Sequence, residues 1–172
     1  LTQRGDYDVA IKDLNEAIKL NPNDAKSFCN RGFAWASKKD IDTAVKDLSE
    51  AIRLNPHHPI PYFYRGYAWA AKAKYDAAVK DYSEAIRLNP KYIDAYGQRG
   101  EVWARKGDYD AAIEDSTEAI RLNPKFADAD GNRGSGWAQK GDYDAAIEDL
   151  TEAIRFDPKH LKAYINRGIV FE

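Results

Sequence analysis

Apolar residues recur along this chain at helical rather than strand spacing. Tyr62, Gly66 and Trp69 share one face of a first segment, and Tyr75, Ala78, Val79, Tyr82, Ala85 and Ile86 share one face of a second. This spacing predicts two amphipathic helices, and breakers mark their ends. Gly-Asp-Tyr-Asp stands between paired segments at residues 5–8, 107–110 and 141–144; glycine suits the left-handed residue that closes one helix, and Asp can cap the next. The second helix stops at Asn-Pro, because a proline disfavours helical geometry in the residue before it.

The block then repeats. Pro22, Pro56, Pro90, Pro124 and Pro158 each fall 34 residues after the last, and a fixed period of this kind signals a repeat architecture. Arg-Gly recurs in the same register at Arg31, Arg65, Arg99, Arg133 and Arg167 with the glycine that follows each. Tryptophan comes next at Trp35, Trp69, Trp103 and Trp137, with Phe171 in the last register.

Phe28, Gly32, Trp35, Ala44, Leu48, Ala51 and Pro56 of one unit resemble the pattern of the tetratricopeptide repeat family. The resemblance covers the whole chain. It implies an all-α fold, an α-solenoid in which antiparallel helical hairpins stack into a right-handed superhelix whose first helices line a concave face. The expected division is a single array. It has a half repeat (second helix only) at residues 1–24, full repeats at 25–58, 59–92, 93–126 and 127–160, and a half repeat (first helix only) at 161–172. Gly32 and its equivalents should let the helices of a hairpin approach closely, and the columns containing Ala44 and Ala51 should let neighbouring hairpins interleave. One departure from the family pattern needs its own explanation, since every copy has Arg before the Gly where Leu is common.

Composition narrows the partners. The 172 residues, 44% of them hydrophobic, are about one domain's worth of chain and can bury a core. Lys and Arg number 26 against 28 Asp and Glu, so no overall basic field gathers phosphates, and nucleic acid is not the expected partner. A single cysteine, Cys29, excludes an intramolecular disulfide framework and a cysteine-built zinc site. No apolar run approaches the roughly 20 residues of a membrane span, nothing at the start reads as a signal peptide, and the expected compartment is the cytoplasm. The chain has no methionine, so it is expected to be a fragment of a longer protein or a processed piece.

Nothing in the sequence supports an enzyme, a metal or a cofactor. His57, His58 and His160 sit around Pro56 and Pro158 without convergent ligands and read as exposed loop residues. Cys29 has no partner for nucleophilic catalysis. The glycines are repeat punctuation rather than a phosphate-cradling loop. Asp13, Asp47, Asp81, Asp115 and Asp149 recur once per repeat, as do Glu16, Glu50, Glu84, Glu118 and Glu152, which suits structure better than chemistry. The expectation is that each Arg of the Arg-Gly pair reaches an acid on the preceding second helix, Arg65 to Asp47 or Glu50, because a guanidinium fork suits a half-buried carboxylate. The alternative is an arginine ladder that binds an anion.

Positions that differ between repeats and face the concave side carry the functional prediction. Phe63, Tyr64 and Tyr67 are aromatics that the hairpin does not demand, and Cys29, Asn30 and Phe33 of the preceding repeat extend them into an aromatic wall. Farther along, the surface becomes Asp94, Gln98, Glu101 and Arg105, then Asp128 and Asn132, polar with an acidic lean. A protein or peptide segment with an apolar anchor followed by a basic or polar stretch fits this gradient. The competing reading has the three rings merely packing against adjacent helices. The clamp with which some family members grip acidic chaperone tails needs Lys and Asn one turn apart, and this chain has Cys29 with Phe33, Phe63 with Tyr67 and Gly97 with Glu101 instead.

Two further expectations concern stability and assembly. Asp130 replaces an aromatic, Ser116 replaces Leu or Tyr, and Gly131 and Gly136 add flexibility, so the junction of the third and fourth full repeats should be the weakest. The two half repeats leave complementary faces, so head-to-tail self-association is the alternative to groove binding.

Overall fold

Aspartates one residue ahead of an apolar run start several of the helices, as their side chains accept from first-turn amides: Asp24 from Lys26 and Ser27, Asp40 from Thr43, Asp108 from Ala111 and Asp142 from Ala145. A computed structural model describes residues 6–171 and contains, among them, α-helices and no strand. The helices are α1 (Asp6–Leu20), α2 (Ala25–Ser37), α3 (Ile41–Leu54), α4 (Pro59–Ala71) and α5 (Tyr75–Leu88), followed by α6 (Ile93–Lys106), α7 (Tyr109–Leu122), α8 (Ala127–Lys140), α9 (Tyr143–Phe156) and α10 (Leu161–Val170). Gly107 and Gly141 close α6 and α8 at φ 83°, the left-handed geometry expected of them. In the two earlier hairpins the same position holds Lys39 at φ 67° and Ala73 at φ 55°, which places a side chain where glycine is cheaper. Asn55, Asn89, Asn123 and Asp157, each ahead of a proline, turn extended and end the second helices.

Two compact units result, Leu1–Pro90 and Lys91–Glu172. In the first, α2 with α3 and α4 with α5 form hairpins, α1 packs on α2, and α3 packs on α4. In the second, α6 with α7 and α8 with α9 form hairpins, α7 packs on α8, and α10 packs on α9. Successive first helices also touch within each unit, α2 with α4, and α8 with both α6 and α10.

Small residues set how closely these helices pack. A Cβ on Gly32 would lie 2.7 Å from Leu48 Cγ, and one on Gly134 would lie 2.8 Å from Leu150 Cγ. Gly66 stands against the Tyr82 ring in the same way, at 2.9 Å. Ala44, Ala51, Ala78, Ala85, Ala146 and Ala153 are fully buried. Among the described residues the large, fully enclosed side chains are Leu48, Tyr82 and Leu150, all in one column, which in α6–α7 holds the small Ser116 instead.

The features expected to weaken the junction of the third and fourth full repeats lie on the two hairpins that flank it. Ser116 faces Gly100 across α6 and α7, and its hydroxyl donates to the Ala112 carbonyl at 2.8 Å. Asp130 lies near the charges of Asp149, Glu152 and Arg155 on α9. Gly136 serves packing, since a Cβ there would lie 2.8 Å from Ile113 Cγ1.

Candidate functional site

The arginine ladder is a set of internal bridges. Arg31 Nε and Nη2 donate to the two carboxylate oxygens of Asp47, both at 2.7 Å, and Arg65 grips Asp81, Arg99 grips Asp115 and Arg133 grips Asp149 in the same bidentate way. The acid therefore belongs to the following helix of the same hairpin, which corrects the expectation that Arg65 pairs with Asp47 or Glu50. Antiparallel packing turns the Arg-Gly step toward its own partner helix, where the glycine admits the close approach. The preceding helix is met by Nη1 instead, Arg31 at Asn15 (2.7 Å) and Arg65 at Ser49 (3.0 Å). Three of the four guanidiniums also lie over an aromatic ring, Arg31 over Phe28 at 5.4 Å, Arg65 over Tyr62 at 5.9 Å and Arg99 over Tyr96 at 5.7 Å. One side chain thus joins three elements, which accounts for Arg where Leu is common. The acid column Glu50, Glu84, Glu118 and Glu152 takes a different arginine, three residues on in its own helix.

The aromatic residues fall into two groups. Phe63 and Tyr64 are half-buried; their rings stand 5.5 Å apart, with Tyr64 4.7 Å from Phe33 and Phe63 5.7 Å from the enclosed Tyr82. Packing therefore uses two of the three surplus rings. Phe33 is 39% exposed and Tyr67 51%, and they hold the same register on the neighbouring helices α2 and α4. Asn30 is exposed beside them. Cys29 is buried in a cluster with Ala36, Ala44, Leu48 and Ala51, and burial pushes its thiol up to about 11.

In the second unit the expected acidic lean is largely neutralised within the chain. Glu101 accepts from Arg105 at 2.8 Å and lies 3.5 Å from Lys162 of α10. Burial pushes this carboxyl up, but the Arg105 hydrogen bond and the Lys162 charge outweigh it and hold it below the ordinary range. Asp128 is engaged by His160 at 3.1 Å. His160 is a corrected expectation as well, because its side chain is only 9% exposed. Its Nδ1 accepts from the Ala163 amide and caps α10, so Nε2 carries the proton that Asp128 accepts. Asp94 remains exposed, Gln98 and Asn132 are half-buried, and Arg105 is exposed.

A recurring pair that the sequence reading missed ties α2, α4 and α8 each to the second helix before it. Lys72 bridges to Asp42 at 2.5 Å, Lys38 to Asp8 and Lys140 to Asp110. The signal was present as a constant 30-residue spacing between two recurring columns. Among the described residues no group of three or more His, Cys, Asp or Glu stands together as a metal would require. No helix there is long and apolar enough to cross a membrane.

A chain built of stacked helical hairpins, each locked by its own Arg–Asp bridge, is a helical repeat protein. Residues 1–38 and 70–107 match a family model described as TPR repeat, while residues 25–58 and 104–160 match models described as tetratricopeptide repeat. The chain belongs to the tetratricopeptide repeat family, whose members are generally protein-interaction scaffolds. No curated protein matches it. Among solved structures, a crystal structure of MamA is similar at 28% identity over 92% of both chains, with a TM-score of 0.83. MamA residues 41 to the end from Desulfovibrio magneticus RS-1 share 22% identity, covering 91% of this chain and 89% of that one, at a TM-score of 0.82. YrrB, described as a TPR protein with an unusual peptide-binding site, shares 23% identity over 92% of this chain and 81% of its own, at a TM-score of 0.78.

Proposed function

We propose that this chain is a non-enzymatic scaffold that binds a peptide or protein segment along its first helices, in an array divided at residues 25–58, 59–92, 93–126 and 127–160. The observation that carries this is the pair Phe33 and Tyr67, two large rings left open on adjacent helices above a packed aromatic layer. Such rings offer contact area at little entropic cost. Asn30 adds a polar group on α2 of the first unit, and Asp94, Gln98 and Arg105 on α6 and Asn132 on α8 are the polar candidates of the second. YrrB gives the reading a precedent in a similar fold. The test replaces Phe33 and Tyr67 together by Ser and measures partner capture beside circular dichroism. Capture lost with helicity kept supports the scaffold, whereas capture unchanged removes the two rings from it. Phe63 and Tyr64 are poor probes, because their loss disturbs Tyr82 and Phe33.

A second reading, head-to-tail association of two copies, has its own observation. Arg167 donates to Thr151 at 3.0 Å but has no carboxylate partner among the described residues, unlike the four arginines before it. Asp13, in the register of their partners, is exposed and makes no ion pair with an arginine among the described residues. Stacking α1 of one copy beyond α10 of another supplies the missing bridge and covers the exposed Ile165 and Ile169. Light scattering should show mass rising with concentration, Arg167→Asp should abolish the rise, and adding Asp13→Arg should restore it. A concentration-independent monomer would end this reading.

A further inference from the structure

Helix α10 has ten residues, a length at which a helix depends on what it packs against. It lies on α9 and α8, where Ala163 joins the buried cluster of Ala146, Leu150 and Ala153. Polar contacts complete the seat: Asn166 donates to the Ser135 hydroxyl at 2.6 Å, Arg167 donates to Thr151 at 3.0 Å, and the Lys162 ammonium stands 3.5 Å from Glu101. His160, at the head of the helix, serves it twice with one ring. The ring lies on the backbone of α8, where a Cβ on Gly131 would come within 3.2 Å of it, much as the Phe126 ring lies on Gly97 one repeat earlier. Phe126 leaves α8 without a side-chain cap, whereas His160 Nδ1 accepts from the Ala163 amide at 3.2 Å. The proton of the neutral ring is then at Nε2, toward Asp128 at 3.1 Å.

We propose that His160 is a proton-operated latch for α10: the neutral ring caps the helix and seats it on α8 and α9, and a second proton, taken up at Nδ1 in mildly acidic solution, loosens that seat. Imidazole is the side chain that changes charge between pH 8 and 5. Its second proton removes the lone pair that the Ala163 amide needs and sets two N–H groups against each other. It also places a positive charge at a helix N-terminus, the end that already carries partial positive charge. The gain at Nε2 is smaller, because the Asp128 side chain is 72% exposed and an ion pair so open to water is worth little. The docked form thus binds fewer protons than the released form, and docking weakens as pH falls.

The other charged groups of this corner do not account for such a release. Glu152 and Arg155 on α9 hold each other, Arg133 of α8 holds Asp149, Asp157 accepts from the Lys159 amide at 2.9 Å, and Lys162 is engaged by Glu101. Asp130 of α8 takes up a proton in the same range with the opposite sign, since its contribution is fully present below pH 3.8 and is lost as pH rises through about 6. Release of α10 would free Glu101 and uncover Ala153, so the latch would govern how much of the second unit is open to a partner. The latch goes beyond the scaffold reading and stands whether or not that surface binds one.

The test is amide hydrogen exchange of the whole chain at pH 7.5 and 5.5, with rates corrected for the intrinsic pH dependence of exchange. Protection of the α10 amides from Ala163 to Val170 should fall about tenfold between the two, as a lost cap and a misplaced charge allow, while protection in α7 and α9 holds or rises. His160→Phe copies the ring at Phe126, and His160→Asn keeps a capping side chain; neither titrates in this range, so each should make α10 protection independent of pH. Asp130→Asn removes the other titrating group and should leave the fall in α10 intact. Protection of α10 that stays level or rises in the native chain would overturn the latch. So would a fall that persists in either His160 variant, or one that disappears in Asp130→Asn.

Discussion

The hairpins α4–α5 and α8–α9 share one 34-residue plan and fill it in opposite ways. In α4–α5 the enclosed position is Tyr82, Phe63 leans on it at 5.7 Å, and Tyr62 lies beneath Arg65. In α8–α9 the enclosed position is Leu150, and the ring position beneath Arg133 is Asp130, only 4% exposed, with one carboxylate oxygen that has no hydrogen-bond partner. Both nevertheless keep the glycine contact, the buried alanines and the bidentate Arg–Asp bridge. The plan therefore depends on close backbone approach and one ion pair, while the large side chains are free to vary. Variation confined to those positions changes surface and stability without changing the fold.

The largest effect that can break this comparison is expected at the enclosed column. Tyr82→Ala should lower the unfolding free energy by about 3–5 kcal/mol, since it empties a fully buried site and takes support from Phe63. Ser116→Ala, in the same column, should cost about 1 kcal/mol or less, because only one hydrogen bond to a carbonyl is lost. Urea denaturation of the two variants measures both. Equal losses would mean that the column is filled equivalently in every hairpin.

Asp130 comes next. Burial, with the Asp149 charge second, pushes its carboxyl up to about 6 from an ordinary 3.8. A group with a raised folded value adds stability that is fully present below pH 3.8 and is lost as pH rises through about 6. Asp130→Tyr, which restores the ring found under Arg31, Arg65 and Arg99, should therefore gain about 1–2 kcal/mol at pH 8. The gain should shrink as pH falls from 7 to 5, because the native chain recovers there. A difference independent of pH would show that Asp130 titrates normally.

Smaller effects belong to the turns. Ala73→Gly should stabilise the chain by about 1 kcal/mol, and Gly107→Ala should destabilise it by a similar amount, since both residues hold positive φ and no atom crowds a Cβ at Gly107. Calorimetry on the pair should give shifts of opposite sign. The smallest effect is expected at Arg87, exposed and paired with Glu84 three residues back; Arg87→Ala should leave the melting midpoint in place.

Much of this molecule was legible from one period of sequence. Asp40, Asp108 and Asp142 cap helices, and Gly107 and Gly141 turn left-handed, because those preferences act over a few residues and need no partner from afar. The glycine and alanine columns were legible too, since small residues at fixed spacing have few uses other than close packing. The candidate site was less so. Spacing placed Phe63, Tyr64 and Tyr67 on one stripe but could not say which rings their neighbours would cover. Glu101 and Asp128 looked like free acids because Lys162 lies 61 residues from the first, and His160 lies 32 from the second.

The chain alone determined the helices, their ends, the hairpin unit and its period, because each follows from local hydrogen bonding and apolar spacing. Tertiary structure decided which acid each arginine holds. Asp47 and Asp81 are almost equally distant from Arg65 in sequence, and only the approach of α4 to α5, across the glycine beside that arginine, brings one carboxylate within 2.7 Å. The same packing decided that Phe63 and Tyr64 are half-buried while Phe33 and Tyr67 remain open, since exposure depends on every neighbour a side chain meets.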